Sequence, residues 1–266
     1  MLPSKCLNCE ELLSPGVRYC SYCGQKAATH ALSFHEILHD SIHYFTHADT
    51  SIFRLVRELA LRPGIVAKEY ILGKRKKFFK PLNFFLIVAG IVVFMTSAFY
   101  QPNDSRSRNI EAAAAQVRNP VQKERMLQMA NRVRKVNVIT GKYSNVINMV
   151  GTPFMTLFFW LAYRRKFNYV ESLVANMYFI GFVMLFYAVI FVPLQHTFAG
   201  IGTYLIGFFF LFEIVYRGMA FRQLSSAKGA LGVGKAYAVS LLISLLWITL
   251  TVSLIMSYVR GSFPFI

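Results

Sequence analysis

Five stretches of about twenty residues, each apolar around its whole circumference, dominate this chain: 82–100, 143–163, 172–194, 198–216 and 236–259. A hydrocarbon core takes about 20 helical residues to cross, and an amphipathic helix in a water-soluble core keeps its apolar residues to one stripe. The pattern therefore predicts an all-α polytopic membrane protein with about five transmembrane helices. Composition agrees: charged residues are 15% of the chain against 55% hydrophobic, and 25 Phe and 14 Tyr suit lipid-facing and interfacial surface. An ordinary water-soluble enzyme, usually about 25% charged, is excluded.

The four cysteines all lie before the first apolar stretch, as Cys6-Leu7-Asn8-Cys9 and Cys20-Ser21-Tyr22-Cys23-Gly24. Two C-x2-C pairs at short separation form the ligand set of a structural zinc site, each pair turning two thiolates toward one ion. Gly24 permits the positive φ that such a knuckle needs, and Pro15-Gly16 marks the turn between the knuckles. The alternatives are two disulfides or free thiols. Residues 1–10 contain no apolar signal-peptide core, so the expectation is a ribbon in a reducing cytosol, with thiols available for metal.

The domain reading is a zinc ribbon over 1–28, an amphipathic helical collar over 29–81 and a transmembrane domain over 82–266. In the collar, Ser33 and Glu36 spell a capping box. Asp49 precedes a second helix, and Gly73 suits the end of a third, at about 65–72. The collar ends in Lys74-Arg75-Lys76-Lys77-Phe78-Phe79-Lys80-Pro81. Basic residues at that position are expected to bind anionic phospholipid headgroups, with Phe78 and Phe79 inserting among them. Nucleic acid is the less fitting partner, because no reading module accompanies the charge.

With the N-terminus inside, 19 of the 29 Lys and Arg fall on the cytosolic side and 10 outside. The positive-inside rule then favours a cytosolic N-terminus and an external C-terminus. The basic 101–142 loop sits outside in this scheme. Its 121–136 portion, with Met126, Met129, Ala130 and Val133 on one side, is expected to lie in the interface plane. The alternative makes the first apolar segment re-entrant and this loop cytosolic.

The order of parts resembles an uncharacterised bacterial family, a domain of unknown function joining a four-cysteine ribbon to several spans. The resemblance rests on the cysteines, Phe45-Thr46-His47-Ala48-Asp49, Arg62-Pro63-Gly64, Tyr70-Ile71-Leu72-Gly73-Lys74-Arg75, Pro81, and later Phe167-Asn168-Tyr169-Val170-Glu171. It implies an integral protein of a bacterial inner membrane and no reaction.

Other candidate chemistry is thinner. His35-Glu36-Ile37-Leu38-His39 matches H-E-x-x-H, in which two His bind zinc and Glu36 would act as general base. His35, His39 and His43 are also a possible second metal site without catalysis. Gly229 to Lys235 nearly spells a P-loop, but Ala236 replaces the Mg²⁺-binding hydroxyl. A flexible turn is expected there. Glu213 is an intramembrane carboxylate with Arg217 one helical turn on, so a structural ion pair competes with function. Asn148, Thr152, Thr156 and Asn176 suit interhelical hydrogen bonds or a polar path, and Thr249, Ser253 and Ser257 a close helix contact. The leading functional expectation is a non-enzymatic adaptor or regulator whose ribbon, or self-association, provides a protein contact. A transporter or channel-like component and a membrane metallohydrolase are the alternatives.

Overall fold

The computed structural model describes residues 5–27, 33–34, 51–99, 104–198, 200 and 202–261. Among these the helices are α1 (Ser51–Leu61), α2 (Pro63–Ile71), α3 (Pro81–Ala98), α4 (Ser105–Ala115), α5 (Pro120–Tyr163), α6 (Tyr169–Thr197), α7 (Gly202–Ser225) and α8 (Gly229–Arg260). Five helices, α3 and α5 to α8, are long and apolar enough to span a membrane.

α6 is the centre of the bundle, with 61% of its apolar window buried, whereas α8 at its edge buries 17%. Outward-facing Phe94, Val150, Phe154, Ile206, Phe208 and Leu246 leave more exposed apolar surface than a water-soluble monomer tolerates. Small residues set the close crossings. A Cβ on Gly181 of α6 would come within 2.8 Å of the Phe84 ring of α3, and those on Gly151 and Gly218 would overlap the rings of Trp247 and Tyr237. Helix contacts on α8 run through Ala236, Ser240, Ile243 and Ser244, and the Ser240 hydroxyl donates to the Ile214 carbonyl of α7 at 2.9 Å. The expected Thr249 and Ser253 face points outward instead. Both hydroxyl patterns repeat at helical spacing, and the packing of α7 selects between them. Asn168 and Glu171 form a full capping box at the start of α6. Its interior winds as a π turn at Tyr187–Phe191, just ahead of Pro193, whose missing N–H leaves a carbonyl unbonded in any regular α ladder.

Residues 51–81 of the collar are packed into the helix bundle. The Arg62 carbonyl accepts from the Ile65 and Val66 N–H groups at 3.1 and 3.2 Å across the break before Pro63, and α2 ends in a Schellman motif: the Gly73 N–H donates to Tyr70 and the Lys74 N–H to Glu69. Gly73 has φ +107, which only glycine adopts without cost. Leu55, Leu59, Val66, Tyr70, Phe78 and Phe79 belong to the same hydrophobic core as Phe84, Phe159, Phe179 and Phe221 of the spans. Phe78 and Phe79 thus pack inward, contrary to the expected insertion among headgroups, and the Tyr178 hydroxyl donates to the Phe79 carbonyl at 2.7 Å. On the other side of the collar the Tyr216 hydroxyl donates to the Leu59 carbonyl at 3.1 Å, and the Gly64 N–H donates to Gln223 Oε1 at 3.0 Å.

These contacts sort the connections into two faces. Lys68 Nζ donates to Ser226 Oγ at 2.7 Å and Lys166 Nζ to the Ser225 carbonyl at 2.8 Å, so the collar, 164–168 and 226–228 share one face. At the other end the Phe99 and His196 rings meet at 5.3 Å, and a Cβ on Gly261 would overlap the Arg132 guanidinium. α3 runs unbroken between the faces, so it is a span and not a re-entrant segment. The 121–136 portion does not form a separate helix. It is the first half of the 44-residue α5, which at 1.5 Å per residue extends roughly 66 Å, about twice a hydrocarbon core. α4 covers the Ala130 and Val133 part of its apolar stripe, with Ala114, Ala130 and Val133 buried and Arg134 bonded to Glu111 at 2.6 Å, while Met129 stays exposed. That part of the stripe has a protein partner. The glycine-rich 229–234 segment is likewise helical, the first two turns of α8. Gly229 enters at φ +71, a left-handed position that glycine takes without cost, while Gly232 and Gly234 inside the helix each cost about 1 kcal/mol, which the long apolar helix behind them offsets.

Candidate metal centre

The two knuckles repeat one another with an offset of fourteen residues. Cys6 N–H donates to the Glu11 carbonyl and Cys20 N–H to that of Gln25, both at 2.8 Å. Glu10 N–H donates to Cys6 and Gly24 N–H to Cys20, both at 2.9 Å. Bridges Lys5–Leu12 and Tyr19–Lys26 close the two turns. The left-handed position is Gly24 at φ +68 in one knuckle and Glu10 at φ +66 in the other. Sequence reasoning found the glycine and missed its glutamate counterpart, because no local signal marks a strained non-glycine residue. Gly16, at φ +82, makes the turn between them as expected.

The folding of the knuckles brings the Sγ atoms of Cys6, Cys9, Cys20 and Cys23 within 4.8 Å of one another. Cys6 and Cys23 are 3.6 Å apart, as are Cys9 and Cys20. Metal–sulfur bonds of about 2.3 Å in a tetrahedron imply edges near 3.8 Å, whereas a disulfide requires about 2.05 Å. The arrangement fits four ligands around one ion, and all four cysteines are free. Acidity is divided unevenly among them. The Cys23 backbone N–H is the main influence that lowers the Cys20 thiol to about 7. At Cys9 the Glu11 backbone pulls down, but burial and the three neighbouring thiols push the thiol up to about 12. Four sulfurs this close cannot all ionise side by side unless a cation offsets their charge.

Gln25 attaches the ribbon to the collar. Gln25 is 3% exposed; its Nε2 donates to the Gly73 carbonyl at 2.8 Å, and its Oε1 accepts from the N–H groups of Arg75 and Lys76 at 3.1 and 3.3 Å. No motif flagged Gln25, since its importance depends on a loop fifty residues away. The remaining ribbon surface exposes Leu12, Tyr19 and Tyr22 at 70%, 57% and 79%.

The basic cluster is partly engaged within the fold. Lys77 Nζ lies 2.6 Å from Glu69 and Lys74 Nζ 3.8 Å from the same carboxylate. Arg75 and Lys80 also have protein partners. Lys76 alone of the five has an exposed side chain. In the spans, Asn176 donates to Thr156 Oγ1 at 3.2 Å, joining α6 to α5, and Trp247 Nε1 donates to Asn148 Oδ1 at 3.2 Å, joining α8 to α5. Glu213 and Arg217 pair at 2.6 Å, with Arg217 1% exposed. They line a cavity of about 180 Å³ with Asn148, Tyr187 and Trp247. The His35, Glu36, His39, His43 and His47 series lies outside the described residues.

No match was found among curated proteins or among solved structures. A family model described as Protein of unknown function (DUF3667) matches residues 49–93, the segment that comprises α1, α2, the basic loop and most of α3, and to that family's segment this part of the chain is similar.

Proposed function

We propose that the chain is a non-enzymatic adaptor or regulator of a bacterial inner membrane, in which a zinc ribbon forms a fixed protein-docking platform on the cytosolic face. One observation carries this reading: Gln25 seats one side of the ribbon on the membrane domain while Leu12, Tyr19 and Tyr22 remain exposed on the rest. A tether alone would not require a seat, and a purely structural ribbon would not require exposed aromatic residues. Zinc suits a closed four-thiolate site without an open coordination position. The described ribbon buries little besides Cys6, Cys20, Gln25 and Ala27, so the metal supplies most of its folding energy. The collar face carries the larger share of basic residues, which supports a cytosolic assignment and contact with anionic phospholipid through Lys76.

A photo-crosslinking residue at Tyr22, activated in native membranes, tests the platform. The expected result is a discrete crosslinked product that disappears when Cys20→Ser removes the metal, while the chain stays membrane-inserted. No product, or one indifferent to the metal, refutes the reading. Orientation is tested by cysteine labelling after the native cysteines are replaced. Lys228→Cys should react only from the cytosol and Ala112→Cys only from outside. A transporter-like reading is favoured by one observation, the 180 Å³ cavity holding the Glu213–Arg217 pair beside the π turn. Substrate-dependent protection of a probe at Tyr187 would bring that reading forward.

A further inference from the structure

The collar face holds a second basic feature, separate from the 74–80 cluster. The end of α5 and the connection that follows it meet the α7–α8 connection around a cavity of about 500 Å³, within the usual range of small-ligand sites. Arg164, Arg165, Lys166, Lys228 and Lys235 line it, and no Asp or Glu does. Two of these cations are held in place across the connections. Lys166 Nζ donates to the Ser225 carbonyl at 2.8 Å, and Lys235 Nζ donates to the Ala162 carbonyl at 3.1 Å while lying over the Tyr163 ring at 5.1 Å. Each ammonium has three N–H donors, so both retain donors for a ligand. The side chains of Arg165 and Lys228 hold no hydrogen bond or ion pair to another described residue. Five cations with no carboxylate repel one another, and an anion relieves that repulsion.

We infer that this cavity seats the phosphate of an anionic phospholipid headgroup. The chemistry requires a phosphate ester; the position indicates that it belongs to a lipid. Leu161, half-exposed in the last turn of a membrane-spanning helix, forms one wall of the cavity, so it opens where an acyl chain gives way to its headgroup. Gly232, in the first turns of α8, brings backbone to the same wall, and α8 starts without a side-chain cap, which adds the positive end of a helix to the site. The inference rests on the membrane-spanning reading and is independent of the adaptor role.

The full chain, purified in neutral detergent, is titrated with phosphatidylglycerol and with phosphatidylcholine, and bound lipid is counted by native mass spectrometry. One phosphatidylglycerol should bind well ahead of the others. Arg165→Gln with Lys228→Gln should weaken that first binding roughly thirtyfold, at about fivefold for each cation near the surface. Lys123→Gln with Lys135→Gln, on α5 at the opposite face, should leave it unchanged. Equal losses in the two double variants, or equal binding of phosphatidylcholine, overturn the site in favour of diffuse attraction. Displacement of the lipid by equimolar inorganic phosphate overturns the lipid assignment. Failure of the membrane reading is distinguishable, because the chain would then stay dispersed without detergent.

Discussion

Replacing Gly64 by alanine tests whether the collar is built into the membrane domain. Gly64 is the second residue of α2, where that helix crosses α7. An added methyl would overlap the Ala220 carbonyl oxygen and come within 2.5 Å of the Leu224 nitrogen and the Gln223 Cβ. Backbone atoms cannot rotate away, so the helices must separate by roughly 1 Å to restore ordinary contact. The Gly64 N–H to Gln223 Oε1 bond, 3.0 Å long, then lengthens beyond useful range. Overpacking costs about 1–3 kcal/mol and the bond about 1 kcal/mol. Docking of the collar should weaken by about 2–4 kcal/mol. Hydrogen exchange of the α1–α2 amides reads this directly, as a rise of roughly 30- to 1,000-fold in exchange through local opening. Gly90→Ala is the control: nothing lies within 4 Å of its added methyl, and removing a helix-interior glycine should stabilise by about 0.5–1 kcal/mol. If Gly64→Ala exchanges within threefold of the parent protein, the collar is not fixed to α7 and the argument fails.

Gln25→Ala should release the ribbon with its metal still bound, because the four thiols are untouched. Amides 73–76 would lose protection by an amount corresponding to about 1–3 kcal/mol, while metal content stays at one per chain. Cys20→Ser should lose the ion, since three thiolates no longer close the tetrahedron, and far-UV circular dichroism should show the span helices intact. Glu58 gives a pH prediction. The hydrogen bond from Arg62 holds its carboxyl below the ordinary carboxylate range. The pair therefore contributes stability above about pH 4.5 and loses it as pH falls through the depressed value. Being half-exposed, it is worth under about 1 kcal/mol. Glu58→Gln should flatten only that acid limb of a stability–pH curve, and an unchanged limb would remove the pair from the account.

Much of this protein is legible in its sequence because the governing rules are local. Twenty apolar residues must cross a bilayer whatever they pack against, so the number of spans follows from composition along the chain. Two C-x2-C pairs must turn back on themselves, so the four sulfurs meet without help from the rest of the fold. The Gly73 helix end is likewise set by neighbours within a turn or two. What depended on distant partners was not legible. Phe78 and Phe79 suit headgroups and a protein core equally well, and the presence of α6 behind them decided for the core. The apolar stripe of the first half of α5 fits lipid as well as it fits α4, and the chain folded α4 onto its Ala130 and Val133 part. Gln25 has no periodicity or motif to mark it, and it acquires its role only when Gly73, Arg75 and Lys76 arrive from fifty residues away. The basic cavity forms where two connections 59 residues apart in sequence are joined by Lys166 and Ser225. Hydrophobicity is non-directional, so it fixes which residues leave water; which neighbour they meet is decided by packing.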